Sequence, residues 1–236
     1  MLASLKALLT SVVDYAGLFP PAKLDLRQAM ENYVQDSASP YAWMLSRFVI
    51  PISRLSEFAE LLSAFSLKHW SLSVILSGLE SEIEQVQSLH IGNKVAIAAL
   101  EFSALSPPEI ERVSSDLPTE VEAFFEIPFN SDLKPYLKVL RHTGAAAKIR
   151  TGGATINAFP SVTQLSQCIF SFAEAQVPFK ATAGLHHPLP AQYPLTSEPD
   201  SPATLMHGFL NVATLAALAY WQNVTPTEAL ELLQAS

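Results

Sequence analysis

Cysteine is almost absent from this chain: Cys168 is the only one in 236 residues. No internal disulfide can form, and that usage predicts a reducing compartment, the cytoplasm. Long apolar runs are missing too. The last candidate, residues 209–221, carries Asn211 and Thr214 and falls short of the roughly 20 residues a membrane helix needs. The opening Met-Leu-Ala-Ser-Leu-Lys has a short, broken apolar part that runs into Asp14 and lacks the cleavage site of a secretory leader, so a helix is expected there. Basic clusters are also lacking, and the net charge is −8. Nucleic acid and anionic membrane surfaces are therefore excluded as expected partners. Charged residues make up only 15% against 49% hydrophobic ones, enough apolar material for the core of one large domain.

What is present is an alternation of short apolar runs with amphipathic stretches. Strands are expected at residues 12–18, 48–51, 72–77, 95–102, 121–128, 145–151 and 177–183. Between them, apolar residues recur three and four apart, as in Leu55, Phe58, Leu61, Leu62 and Phe65, and again in Leu133, Tyr136, Leu137 and Leu140. Cys168 shares such a stripe with Val162, Leu165, Ile169 and Phe172 and is expected in the core. Ser106 with Glu109, Ser161 with Gln164, and Thr225 with Glu228 read as capping boxes, and Gly144 as a helix stop. His69, His90 and His142 fall at expected helix ends, where a positive charge suits the dipole.

Strands apolar on both faces, each followed by a helix, imply a parallel sheet covered by helices. The expected fold is α/β: a single domain over residues 1–236 built as a parallel (β/α)8 TIM-type barrel with an irregular eighth unit. Beyond His187 a proline-rich loop is expected as far as Pro202. Residues 206–212 then form a strand, or 203–222 one helix, and a seven-stranded variant is the alternative.

Lys148 and Lys180 each stand in an apolar run that ends at glycine: Ala-Ala-Ala-Lys148-Ile-Arg-Thr-Gly-Gly and Val-Pro-Phe-Lys180-Ala-Thr-Ala-Gly. Lysine is among the residues least often buried. Two on neighbouring strands would repel, and the easiest response is for one to lose its proton and become a nucleophile. One cation about 5 Å away, at an effective dielectric near 20, contributes on the order of 3 kcal/mol toward that loss. In parallel barrels the reactive groups come from strand C-terminal ends. Here those are Asp14, Arg47, Glu101, Glu126, Lys148, Arg150 and Lys180, with His186, His187, His207 and Asn211 nearby. Alternation places Lys148 with Arg150 on one face, and Lys180 with Thr182. Gly152-Gly153 could cradle an anion or form a plain turn.

These residues resemble the class I (Schiff-base) aldolases of the deoxyribose-phosphate aldolase type. That family forms its imine on the lysine of a Lys-Thr-x-Thr-Gly segment, which Lys148-Ile149-Arg150-Thr151-Gly152 matches at lysine, second threonine and glycine. Its second lysine, in Val-x-Val-Lys-Ala-x-Gly-Gly, looks similar to Lys180 in residues 177–184, and its Asp-x-Thr-x-Leu-x-Pro-x-Ala pattern to residues 14–22. The resemblance implies a barrel lyase with Lys148 as nucleophile. The chain departs from the family where a fourth-strand aspartate should stand, so Glu101 or Glu126 would replace it. It also departs at the phosphate cradle, where His186-His187-Pro188 stands instead of Gly-Ile-Arg. Residues 148–153, 179–187 and 207–211 also resemble a bacterial (β/α)-barrel family, a likeness that supplies no activity.

The leading expectation is a lyase acting on a small carbonyl or anionic substrate, with no cofactor. Lys148 attacks the carbonyl, Lys180 and Arg150 keep its amine unprotonated, and Asp14 with Glu126 or Glu101 moves protons. Arg150, Arg47, His186, His187, His207 and Asn211 would contact substrate. A second possibility is a metal-dependent hydrolase or lyase using His186, His187 or His207 with a carboxylate, although no His-x-His or His-x-x-x-His spacing exists. The third is a non-catalytic barrel binding a small anionic metabolite through Arg47, Lys148, Arg150 and Lys180. The plainest is an interior salt-bridge network, which desolvation makes a costly filler. Tyr220 and Trp221 suit either the core or the surface of a homo-oligomer.

Overall fold

The computed structural model describes residues 2–78, 80–88, 94–196 and 200–236; His90 lies outside them. The seven expected strands are present as β1 (Val13–Tyr15), β2 (Leu45–Pro51), β3 (Trp70–Leu76), β4 (Val95–Phe102), β5 (Glu122–Glu126), β6 (Ala146–Arg150) and β7 (Phe179–Thr182). Their order in the sheet is the order of the sequence, and the strand neighbours described below are parallel. Residues 1–103 and 116–123 form one compact unit, and residues 104–115 and 124–236 a second. Among the described residues no helix is long and apolar enough to cross a membrane.

The first unit holds β1 to β4 with helices α1 (Ala3–Leu9), α2 (Leu26–Ser37), α3 (Leu55–Leu61) and α4 (Glu80–Ser88). Helix α2 begins where Asp25 accepts the Gln28 amide at 2.8 Å, an N-cap that satisfies one of the first turn's orphan donors. Strand β2 pairs with β3 from Phe48–Leu72 to Pro51–Ile75 without interruption, whereas β1 meets β2 across a register shift. The apolar residues of these elements converge on rings. Tyr33, Phe48, Phe58 and Trp70 are buried, with Trp70 5.2 Å from Phe58, 5.3 Å from Tyr33 and 5.8 Å from Phe48 between ring centroids. Such pairs are each worth about 0.5–1.5 kcal/mol beyond their buried area. The Tyr33 hydroxyl donates to the Ser46 carbonyl at 2.7 Å, and burial, reinforced by the Asp14 charge, pushes its pKa up to about 12. His69 precedes β3 directly and is not at a helix end.

The second unit carries β5 from Phe124 onward, β6 and β7, with helices α5 (Pro107–Ser115), α6 (Leu133–Thr143), α7 (Val162–Ala175), α8 (Phe209–Tyr220) and α9 (Pro226–Gln234). The three expected capping pairs form: Glu109 accepts from the Ser106 amide at 2.7 Å, and Ser161–Gln164 and Thr225–Glu228 are reciprocal boxes. Helix α6 stops at Gly144, whose φ of +73° few other residues adopt cheaply, and His142 lies in its last turn as expected. Cys168 is buried on α7, and desolvation raises its thiol pKa to about 11.

The eighth unit departs from expectation. Among the described residues there is no eighth parallel strand, so the eight-stranded form gives way to a seven-stranded sheet. The region expected to be a long loop holds an antiparallel hairpin, β8 (Ala191–Pro194) with β9 (Ala203–Met206), and helix starts only at Phe209. Among the described residues, one isolated parallel bridge outside the named strands joins His187 to Gly208, and no continuous strand forms there. The chain explains why. Ala183 and Gly184 leave extended backbone with φ of +59° and +71°, and Pro188 and Pro190 then offer no N–H to continue a ladder.

Candidate active site

Register in the second unit aligns three charged residues. Glu126 is the Cα partner of Lys148, and Lys148 is the Cα partner of Lys180, with consecutive pairs on either side. In-register residues of adjacent parallel strands project to the same face, and neighbouring strands run about 4.8 Å apart. Glu126, Lys148 and Lys180 therefore form one row across β5, β6 and β7. Lys148 is 5% exposed, and its Nζ lies 3.6 Å from Glu126 Oε2, an ion-pair contact longer than a charge-assisted hydrogen bond. The Lys180 Nζ stands 5.6 Å from the centre of the Phe124 ring, two residues before Glu126 on the same face of β5; at that distance the ring quadrupole attracts the ammonium. One row further along β6 and β7, Arg150 pairs with Thr182. Arg150 is exposed there, while the intervening Ile149 is fully buried on the other face.

The glycines after these strands serve backbone packing. A Cβ on Gly152 would come within 2.6 Å of the Gly184 Cα, and one on Gly184 within 2.6 Å of the Thr151 carbonyl oxygen. The Thr151 hydroxyl donates across to the Ala183 carbonyl, and its amide to the Thr182 carbonyl at 2.8 Å. Close packing against Gly184, which is neither the anion cradle nor the plain turn expected for Gly152-Gly153, accounts for Gly152. The ends of β6 and β7 are locked together, which fixes the lysine row below them.

Asp14, Arg47 and Glu101 belong to the first unit. The Asp14 carboxylate accepts the Arg47 amide at 2.9 Å, and the Arg47 guanidinium meets Glu122 at 2.9 Å. Glu101 on β4 is 2% exposed and accepts the hydroxyl of the fully buried Ser73 at 2.6 Å.

The histidines and Asn211 are held by packing and main chain. The His187 ring stacks on Tyr193 of β8, 3.4 Å between centroids and 11° from parallel. His186 is exposed, and partial loss of hydration, with the neighbouring His187 charge, holds its pKa below the usual imidazole value. His207 is 1% exposed. Its Nε2 donates to the Pro160 carbonyl at 2.7 Å, Nδ1 has no partner, and desolvation lowers its pKa although the bond to Pro160 opposes this. Asn211 donates to the carbonyls of Leu232 and Ala235 at 2.7 and 2.8 Å, tying α8 to the end of α9. Among the described residues no three His, Cys, Asp or Glu side chains gather as metal ligands.

Several residues escaped sequence reasoning. Ser73 gave no sign of its carboxylate partner, because a serine in an apolar strand reads as filler. Phe124 could have been found, since it precedes Glu126 by two on one strand and must share its face. Glu122 and Tyr193 lay outside any motif. No family model matches the chain, and no curated protein matches it.

Proposed function

We propose that the second unit carries the nucleophile of a Schiff-base lyase, with Lys148 as the attacking amine. The observation that supports this most is the direct pairing of buried Lys148 with Lys180. Two ammonium groups held on one face favour loss of a proton from one, and low dielectric strengthens that preference. Lys148 is the more deeply buried of the two, which disfavours its charged form, whereas the Glu126 carboxylate 3.6 Å away favours that form, so the Lys180 charge and burial together have to outweigh it. The neutral amine adds to a substrate carbonyl, forming a C–N bond while the carbonyl oxygen takes a proton. Loss of water leaves an iminium; as the hydroxyl β to it loses its proton, the C–C bond breaks, one fragment leaves as a carbonyl compound and the electron pair forms an enamine, which is protonated at carbon and hydrolysed to the second product and the free lysine. Glu126 serves these proton transfers, and Lys180 acts as a positioning charge. The strand order is the one a TIM-type barrel uses, each strand following its predecessor, and strand C-terminal ends are where such enzymes place their chemistry.

Incubation with a panel of small aldehydes and ketones, followed by borohydride reduction and peptide mapping, tests the proposal. A reduced adduct on Lys148, lost in Lys148→Arg, is expected. Absence of an adduct across the panel, or adducts confined to surface lysines, contradicts it.

A further inference from the structure

Helix α8 carries no charged residue, and beside it lies an open cleft of about 290 Å³. Its walls include Leu210, Asn211 and Thr214 of α8, Leu232 and Ala235 at the end of α9, and Leu189. No residue of β5, β6 or β7 lines it, so it is distinct from the lysine row. Thr214 is set apart from other hydroxyls on this chain's helices. A serine or threonine there commonly turns its hydroxyl back to the carbonyl four residues earlier. Thr10 does so to Lys6 at 2.6 Å, Ser37 to Tyr33 at 2.7 Å and Thr143 to Val139 at 3.0 Å. Thr214 makes no such bond, and among the described residues its hydroxyl has no partner.

Asn211, on the preceding turn, is 6% exposed. Its amide nitrogen donates to the Leu232 and Ala235 carbonyls, which fixes the orientation of the group and leaves Oδ1 a buried acceptor without a partner. Buried polar atoms are seldom left so. Gly208 spares that oxygen further crowding: a Cβ there would lie 2.4 Å from Oδ1 and 2.6 Å from the Cα of Leu189, on the cleft wall. Charge narrows the ligand. Residues 181–236 contain neither lysine nor arginine, and Glu228 and Glu231 are exposed on α9, so an anion is repelled. No carboxylate side chain lines the cleft to hold a cation. Apolar walls with a few polar groups are the usual make-up of a small-molecule site, and a cavity of roughly 150 Å³ already accepts one benzene ring. A hydroxyl answers both polar groups at once, accepting from Thr214 and donating to Asn211 Oδ1. We infer that this cleft binds a small neutral molecule with an apolar body and one hydroxyl group.

Phenol and toluene, alike in shape and both without a carbonyl, test this independently of the chemistry at Lys148. Each is titrated into the full chain while backbone amide resonances are followed. Phenol should shift those of residues 208–214 and 232–235 and saturate. Thr214→Val keeps the side-chain shape and removes the hydroxyl. It should weaken phenol about twofold to tenfold, the range of one neutral hydrogen bond, while toluene binds as before or more tightly. Leu232→Trp, which fills the cleft from α9, should abolish binding of both. Phenol that leaves these resonances in place, or that binds Thr214→Val as tightly as the wild type, overturns the inference. Equal weakening of phenol and toluene by Thr214→Val overturns it too, because a packing change and not a lost hydrogen bond would then be responsible. Failure of borohydride trapping on Lys148 would leave every one of these outcomes unchanged.

Discussion

The two units bury different chemistry on the same kind of parallel strand. In the first, strands β2 and β3 present Phe48 and Trp70 to a group of packed rings, and the buried carboxylate of Glu101 has a hydroxyl partner in Ser73. In the second, β5 to β7 carry a charged row, and the strand ends are joined through glycines too close to admit a methyl group. Aromatic burial stabilises without conditions, whereas a buried ammonium carries a desolvation cost that packing alone would not select. Under the proposed function, the first unit is scaffold and the second is the place where stability is traded for chemistry.

The largest effect that would sharpen this contrast is in the scaffold. Trp70→Ala should lower unfolding free energy by about 3–5 kcal/mol, the range for deleting a large buried aromatic, as measured by denaturant titration. A loss under 1 kcal/mol would break the comparison. Ser73→Ala removes a hydrogen bond to a buried carboxylate and should cost about 1.5–3 kcal/mol, leaving trapping on Lys148 intact. In the second unit, Gly184→Ala combines a positive φ with a clash on the Thr151 carbonyl, and Gly152→Ala a clash on Gly184. Each should cost about 1–3 kcal/mol and weaken trapping by tilting the strand ends. Gly144→Ala, with open space and only the φ of +73° to overcome, should cost about 1 kcal/mol and leave trapping alone. Equal losses at all three glycines would show that the strand-end contact has no special role.

The smallest effect is in pH dependence. The folded-state pKa of His207 is lowered, so the unfolded chain takes up the proton more readily. Its contribution to stability is present above the unfolded value near 6.5 and is lost as pH falls through the lower folded value. Stability measured from pH 7.5 down to 5 should therefore decline in the wild type, and His207→Gln should flatten part of that decline. An unchanged slope would mean that folding does not lower the pKa of His207.

Much of the frame was legible because strand and helix impose different periods on apolar residues. Strand β4 begins and ends where its apolar run does, and Lys148 and Lys180 are opposed as their matching places in two strand–helix repeats suggest. Strand β7 starts at Phe179, later than its apolar run, after Pro178, which has no N–H to offer. The hairpin β8–β9 was illegible because prolines mark turns without saying that the flanking residues will pair with each other. The uses of His207 and Asn211 were hidden for a similar reason: their partners are carbonyls of Pro160, Leu232 and Ala235, and main-chain acceptors leave no trace in a residue alphabet. Glu126 could be placed near Lys148 from strand order, but whether their side chains met depended on register, which apolar runs define only loosely.

The pH profile of borohydride trapping on Lys148, in the wild type and in Lys180→Met, tests the central claim most directly. If the charge at position 180 is what frees the amine opposite, its removal should move the profile's midpoint upward by about 2 pH units, the size of one unit charge about 5 Å away at an effective dielectric near 20. A midpoint that stays in place, or moves down, would contradict the account.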